Sequence, residues 1–169
     1  MAGSSKKKII MSKDTDVIML RPVSRDDAKL LFKWRNDPII IEYSTLKKTV
    51  EWDEHMTWFN YCYDNPSACR LFIIMCRETE IGTIRFEREN IYQAKISVYF
   101  VPNYIGKGHG TTVIRQGVSL IADLWPDLKT IAADILERNT RALTAFRNAG
   151  FGNNTQTLLK NHKRLVYCY

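Results

Sequence analysis

A glycine-rich turn between a strand pattern and a helix pattern is the feature that most constrains this chain. Residues 95–100 alternate polar and apolar side chains, which is the period of a half-buried strand. Apolar residues recur at helical spacing over 113–124. Three glycines between the two patterns leave the backbone amides uncovered: Gly106, Gly108 and Gly110. Because a helix start also offers unpaired N–H groups and a partial positive charge, this unit predicts a phosphate-binding turn.

The glycines alone do not decide between a phosphate site and a simple turn. The chain has no GxxxxGK[ST] segment and no GxGxxG spacing, which sets aside a P-loop and a dinucleotide fingerprint. Its formal net charge of +7 favours polyanionic partners. No long basic stripe interleaved with aromatic residues accompanies that charge, so we expect phosphate-bearing small molecules rather than nucleic acid.

The remaining patterns predict one mixed α/β domain over 17–169, preceded by a flexible basic leader over 1–16. No repeat or low-complexity linker divides the chain. We expect helices that begin at Ser24, near Thr49 and at Asn139, in addition to the long helix after the glycines. Asp37-Pro38 is expected to end the first of them. The expected strands cover 17–22, 71–76, 81–87, 95–101, 128–136, 155–159 and 163–169.

Two blocks, 105–110 and 139–151, together resemble the GNAT acetyltransferase superfamily. The first matches its R/Q-x-x-G-x-G/A motif, and the second its N-x-x-A/S-x-x-x-Y-x-x-x-G-F block. The resemblance implies a mixed central sheet of about six to seven strands, flanked by helices and splayed where acetyl-CoA binds as cosubstrate. It assigns cofactor binding to Phe100, Val101, Ile105, Gly106, Lys107, Gly108, His109, Gly110, Thr111, Asn139 and Phe146.

The chain departs from the family pattern at two of these positions. Ile105 replaces the usual arginine or glutamine, although its backbone N–H remains available for a diphosphate. Phe146 replaces the tyrosine that often protonates the departing thiolate, so Tyr104 or water would take that role. His109 is expected to have a structural or solvent-facing role, and Asn139 either contacts the pantetheine arm or simply caps its helix.

The resemblance implies direct transfer to an amine, for which a backbone N–H between Tyr99 and Val101 would polarise the thioester carbonyl. A general base would accept the proton of the amine. Asp134 is our first choice, since many family members place a glutamate there; Glu137 and Glu87 are weaker alternatives.

Three segments in the first half of the chain look like those of nucleotide-sugar amine acetyltransferases of the pseudaminic acid pathway. They are 34–38 (WRNDP), 55–59 (HMTWF) and 81–86 (IGTIRF). The enzymes they resemble acetylate a UDP-linked 4-amino-4,6-dideoxy sugar. The expected substrate-binding residues are Arg35, His55, Trp58, Arg85 and Tyr99. Two alternatives stay open: Arg35 pairs with Asp37, or His55 is a core histidine.

We therefore expect a GNAT N-acetyltransferase that acts on a nucleotide-linked amino sugar. The alternatives are a ribosomal-protein-type N-terminal acetyltransferase and a non-catalytic acetyl-CoA-binding module. The positive charge argues against an aminoglycoside acceptor. With no CxxC pair, secretion signal or long apolar run, we expect a cytoplasmic protein with four reduced cysteines, no metal site and no membrane contact. The sequence leaves the oligomeric state open, a homodimer being one expectation.

Overall fold

A computed structural model describes residues 17–153 and 160–169. Its strands form one seven-stranded sheet in the order β1-β2-β3-β4-β5-β7-β6. The strands are β1 (Ile18–Pro22), β2 (Cys69–Cys76), β3 (Thr79–Asn90), β4 (Gln93–Phe100), β5 (Thr130–Leu136), β6 (Gly152–Asn153) and β7 (His162–Cys168). All neighbouring strands are antiparallel except β4 and β5. The predicted leader over 1–16 and the strand over 155–159 lie outside the described residues.

Five α-helices accompany the sheet in the described ranges, and one of them is not predicted by the sequence pattern. They are α1 (Ala28–Arg35), α2 (Pro38–Tyr43), α3 (Trp52–Asp64), α4 (Gly110–Leu124) and α5 (Thr140–Asn148). The sequence pattern predicted only a helix end at 37–38. Instead Asp37 caps a new helix by accepting a hydrogen bond from the Ile39 amide at 2.9 Å. Pro38 occupies the first helical position, where its missing N–H costs nothing.

The sheet separates two apolar clusters, because successive side chains of a strand point to opposite faces. The larger cluster joins α4 and α5 to one face and includes Phe86, Ile96 and Ile114. The smaller cluster joins α1 and α3 to the other face through residues such as Leu31 and Phe59. Side chains of β3 and β4 that point to the second face therefore lie on the same side as the two N-terminal helices.

The parallel pair β4–β5 is the irregular part of the sheet. Its ladder contains three residue pairs and ends at Lys95 and Ala132, whereas β4 continues to Phe100 and β5 to Leu136. Over the same stretch β4 stays paired with β3 as far as Phe100. The two parallel strands thus part toward their carboxyl ends, which confirms the expected splay and the mixed α/β fold.

The expectation of four reduced cysteines is wrong for two of them. Cys62 of α3 and Cys69 of β2 form a disulfide, with Cα atoms 4.9 Å apart. The seven-residue separation spans a helix end and a tight turn that return the chain beside itself, which residue spacing alone did not show. Cys76 and Cys168 are free. Within the described ranges, no helix is both long and apolar enough to cross a membrane.

Candidate active site

The opening between β4 and β5 exposes backbone amides that the sheet does not use. The Val101 N–H donates to the Ile81 carbonyl at 2.9 Å, so Val101 is not the expected amide for the thioester. Because N–H groups alternate in direction along a strand, the Phe100 amide points the other way, toward β5. There the ladder has already ended at Lys95. Phe100 is therefore the member of the predicted 99–101 range whose amide faces the opening.

The glycine-rich turn, residues 105–110, lies directly after this opening and has the geometry of an anion cradle. Gly106 and Gly108 have φ of 78° and 88°, a left-handed conformation that glycine adopts without strain. A Cβ at residue 108 would meet no atom within 4 Å. The first amides of α4, including those of Gly110 and Thr111, have no partner inside the helix. Backbone donors and open space thus coincide at this turn.

Two predicted details of the turn need correction. The Ile105 N–H donates to the Pro102 carbonyl at 3.2 Å and is already used by a short 3-10 turn. Phe146 is only 3% exposed and packs edge-on against Phe151, with ring centroids 5.0 Å apart. A ring so buried belongs to the core between α5 and the sheet, so Phe146 is a packing residue rather than a cofactor contact.

The remaining residues assigned to the cofactor surround the same turn. The Lys107 ammonium lies 5.0 Å from the centroid of the Tyr104 ring. The half-buried His109 ring lies 6.5 Å from that of Phe100 and 6.4 Å from that of Tyr104. Asn139 caps α5 by accepting a hydrogen bond from the Ala142 amide at 3.2 Å, which is the structural role that the sequence left open.

Four predicted substrate residues converge on the face that carries α1 and α3, and we call this group the acceptor pocket, after the role that we propose for it below: Arg35, Trp58, Arg85 and Tyr99. The Arg85 guanidinium lies 5.3 Å from the centroid of the Trp58 ring and 3.0 Å from the Glu87 carboxylate. Arg35 Nη1 and Trp58 Nε1 are buried without a hydrogen-bond partner in the described part of the chain. Buried donors of this kind are costly unless a ligand satisfies them.

Electrostatics in the acceptor pocket favour an anion. Burial lowers the pKa of Arg85; Glu87 opposes this, and the positive charge of Arg35 adds to it. Burial raises the pKa of Tyr99 above its usual value, although both arginines act in the opposite direction. Tyr99 is consequently a neutral phenol at physiological pH and can donate a hydrogen bond. Arg85 pairs with Glu87, whereas Arg35 has no ion-pair partner among the described residues, so the two guanidinium groups leave net positive charge for a ligand to neutralise.

His55 lies beside this group, with its ring 5.5 Å from that of Trp58, but it is a core residue rather than a substrate donor. The side chain is 1% exposed, and Nε2 is 2.8 Å from the Ala28 carbonyl oxygen. Its ring lies among Phe32, Trp52 and Phe59. Burial lowers the pKa of His55, since that contact with the carbonyl only partly offsets the loss of solvent. His55 is the core histidine that the sequence left as the alternative.

Asp134 lies on the same face, two residues beyond Ala132, where the parallel ladder ends. Arg164 of β7 binds both carboxylate oxygens, at 2.7 and 2.8 Å, and Lys95 Nζ lies 3.6 Å away. Burial would raise the pKa of Asp134, but the hydrogen bonds and charge of Arg164, with those of Lys95, outweigh it and lower the pKa. A carboxylate so stabilised is a weaker base than a free one. Its assignment as the general base stays a prediction.

A second ion pair fixes α2 beside the opening. Arg138, in the loop after β5, lies 3.2 Å from the Glu42 carboxylate and donates to the Glu42 backbone carbonyl at 2.9 Å. The same guanidinium lies 5.6 Å from the centroid of the Tyr43 ring. The first half of the chain is thereby held against the carboxyl end of β5, where the strands part.

Three cations of the site were not found from the sequence: Lys95, Arg164 and Arg141. The first two meet Asp134 only through the sheet register, which pairs Asp134 with Arg164. Arg141 lies within the block 139–151, and its Nη1 is 3.8 Å from the position of a Cβ at residue 106. The sequence signal for Arg141 is Ile105, because an apolar residue in place of the usual arginine or glutamine suggests that a cation from another element serves the turn.

A mixed seven-stranded sheet whose single parallel pair opens onto a glycine turn and a helix start defines the class of GNAT-type transferases. The sequence itself matches the acetyltransferase (GNAT) domain over residues 18–152. The chain therefore belongs to the GNAT acetyltransferase family, and the expected enzyme class, an acyltransferase, is confirmed.

Similar sequences agree with this family. The chain is 26% identical over 141 residues to an uncharacterized protein of Methanocaldococcus jannaschii, covering 79% of this chain but only 28% of that protein. It is 23% identical over 129 residues to the acetyltransferase PseH of Campylobacter jejuni, covering 76% of this chain and 79% of PseH.

Similar solved structures share the fold. A spermidine N-acetyltransferase from Vibrio cholerae, in complex with CoA and spermine, has a TM-score of 0.76 at 21% identity and covers 89% of this chain and 95% of its own. The aminoglycoside acetyltransferase AAC(6')-Ib, in complex with acetyl-CoA and paromomycin, has a TM-score of 0.78 at 19% identity, with coverage of 90% and 94%. At these identities the likeness concerns the fold rather than the acceptor.

Proposed function

We propose that this enzyme transfers the acetyl group of acetyl-CoA to the amino group of a nucleotide-linked amino sugar. The observation that carries the proposal is the pair of arginines in the acceptor pocket, Arg35 and Arg85, of which only Arg85 pairs with a carboxylate among the described residues. A nucleotide diphosphate is an anion of the charge that such a pair accommodates, and arginine binds phosphate through two parallel N–H groups.

The pocket also offers groups that suit a sugar or a base. The Trp58 ring provides an apolar face beside Arg85, and its buried N–H lacks a partner among the described residues. The neutral Tyr99 phenol adds a donor at the carboxyl end of β4. Aromatic side chains that combine an apolar face with a polar edge commonly bind sugars and bases.

The acceptors in complex with the structural neighbours are polycations, whereas a nucleotide diphosphate sugar is an anion. Spermine is bound by the Vibrio cholerae enzyme and kanamycin and other aminoglycosides by AAC(6')-Ib. Such polycations would meet Arg35 and Arg85 at close range, where like charges repel. The distant relationship to PseH agrees with the nucleotide-sugar resemblance of segments 34–38, 55–59 and 81–86.

In the proposed reaction, acetyl-CoA supplies a thioester whose C–S bond breaks as the acceptor amine forms the new N–C bond. The Phe100 amide is the chain's donor toward the carbonyl in the splay. Arg35 and Arg85 hold the anionic end of the acceptor, so that its amine faces the opening. The amine gives up one proton and the thiolate takes one up. Since Phe146 cannot donate, we propose that Tyr104 or water protonates the thiolate and that Asp134, directly or through water, accepts the proton of the amine.

The test is a thiol-release assay with acetyl-CoA and four acceptors at matched concentrations: a UDP-linked 4-amino-4,6-dideoxy sugar, spermidine, kanamycin and a ribosomal-protein N-terminal peptide. We expect turnover with the UDP sugar at least about 100-fold faster than with the others. Preferred turnover of spermidine or kanamycin would overturn the acceptor class. Preferred turnover of the peptide would make the chain an N-terminal acetyltransferase. Binding of CoA with no turnover of any amine would make it a binding module.

A further inference from the structure

We propose that Arg141 binds the diphosphate of the coenzyme and supplies the cation that position 105 lacks. Arg141 is in the first turn of α5, two residues after the capping residue Asn139. Its Nη1 lies 3.8 Å from the point that a Cβ at Gly106 would occupy, so the guanidinium borders the glycine turn directly. The inference rests on acetyl-CoA binding at this turn, which is part of the proposed function.

The Arg141 side chain is available for a ligand. It is exposed, and it makes no ion pair or hydrogen bond to any residue in 17–153 or 160–169. Most other arginines near the site are committed: Arg138 to Glu42, Arg164 to Asp134 and Arg85 to Glu87. An exposed arginine beside a cradle of backbone donors, without a carboxylate of its own, has the chemistry of an anion contact.

The local backbone explains why a second element supplies this cation. Ile105 has an apolar side chain, and its amide is used by the Pro102 carbonyl. The start of α5 is held beside the start of α4: a Cβ at Gly110 would lie 3.1 Å from the Ala145 Cβ. Thr111 Oγ1 lies 3.5 Å from the Ala145 carbonyl oxygen. This close contact between α4 and α5 brings the first turn of α5 over the glycine turn.

The distinguishing experiment is calorimetric titration of the full chain with CoA, 3′-dephospho-CoA and ADP, comparing wild type with Arg141→Gln. A charge-assisted hydrogen bond contributes enough that we expect about a 10-fold or greater rise in Kd for all three ligands. A contact to the 3′-phosphate would instead weaken CoA binding alone.

Arg147→Gln is the matched control, because it removes the same charge from the same helix. Arg147 lies six residues later, about 9 Å along the helix axis, and its Nη2 is 3.4 Å from Asn153 Oδ1. Screening at physiological salt should keep its effect on the three Kd values within about twofold. Thermal unfolding of both variants without ligand checks that the fold is intact.

The outcomes separate this inference from the proposed function. If wild type binds none of the three ligands, the cofactor site itself is refuted. If wild type binds CoA and Arg141→Gln binds it equally well, the role of Arg141 is wrong while the cofactor site stands. If Arg141→Gln and Arg147→Gln weaken binding equally, the effect is one of net charge and the proposed contact is also wrong. Selective loss of CoA binding, with ADP unaffected, would overturn the diphosphate assignment.

Discussion

The glycine turn and the acceptor pocket lie on either side of the same strand, β4, yet they are built differently. The turn is one continuous segment, and its donors are backbone amides positioned by Gly106 and Gly108. The acceptor pocket is made of side chains from α1, α3, β3 and β4 that only the fold brings together. A backbone site depends on few side-chain identities, whereas a side-chain site changes with every substitution. This difference accounts for family members that share a cofactor and differ in acceptor.

The largest effect is expected at Gly82 of β3, which packs against Tyr99 of the acceptor pocket and Phe100 of the opening. A Cβ at this position would overlap the Tyr99 carbonyl oxygen, and Phe100 Cα would be 2.9 Å away. Gly82→Ala should therefore push β4 away from β3 and disturb both the splay and Tyr99. We expect more than about 3 kcal/mol of destabilisation, measured by urea unfolding, because the clash is with backbone that has no rotamer to change.

Gly152→Ala is the control for Gly82→Ala, since the nearest atom to its Cβ, the Val166 carbonyl oxygen, would be 3.9 Å away. This variant should unfold within about 0.5 kcal/mol of wild type. A Gly82→Ala protein of wild-type stability and activity would show that β4 has freedom here, and the separation of the two regions by a rigid strand would be wrong.

The next effect should fall on the acceptor pocket alone. Arg35→Gln removes a cation whose Nη1 is buried and unpaired among the described residues. We expect kcat/KM for the UDP-amino sugar to fall about 100-fold, the loss of a desolvated charge-assisted contact. The Kd for CoA should stay within twofold of wild type, because the glycine turn uses none of these groups.

Lys33→Gln is the matched variant for Arg35→Gln, as it removes an exposed cation from the same helix. Lys33→Gln should leave kcat/KM for the UDP-amino sugar and the Kd for CoA nearly unchanged. If Arg35→Gln raised the Kd for CoA as much as it lowered acceptor turnover, the two sites would share a common anion contact, and the division between backbone and side-chain regions would fail.

The difference between a backbone site in one segment and a side-chain site from several elements also explains which features could be predicted from the sequence. The strand, glycines and helix of 95–124 carry local patterns, so the fold and the cofactor turn followed from them. His55 and Phe146 occupy positions where the sequence suggested function, and both proved to be core residues. Their burial depends on tertiary packing, such as the contact of His55 with Phe32 of α1 and the core between α5 and the sheet, which the local pattern does not specify. The α2 helix and the ion pairs of Asp134 depend likewise on tertiary contacts.

The smallest effect concerns Asp134, at the junction where the parallel strands part. Asp134 and Arg164 are each 11% exposed, so Asp134→Asn leaves a poorly solvated guanidinium and should destabilise the protein by about 2 kcal/mol at pH 7. Because the pKa of Asp134 is lowered in the folded protein, this contribution is fully present above the unfolded-state pKa of about 4. The stability difference between wild type and Asp134→Asn should therefore be constant from pH 6 to 8 and shrink as the pH falls below about 4.

Activity decides whether Asp134 is also the general base. If its carboxylate only holds β5 to β7 and β4, Asp134→Asn should lower kcat less than about 10-fold and leave the pH dependence of kcat unchanged. Arg164→Met should then reproduce the loss of stability, and the double variant should be less destabilised than the sum of the two. If Asp134 is the general base, Asp134→Asn should abolish the acidic limb of the pH dependence of kcat. Arg164→Met should raise the pKa of Asp134 and so move that limb to higher pH, while the variant still turns over substrate. Those two results together would show that Asp134 of β5 accepts the proton of the amine. The proton transfer would then occur where the parallel strands part, and not in the acceptor pocket.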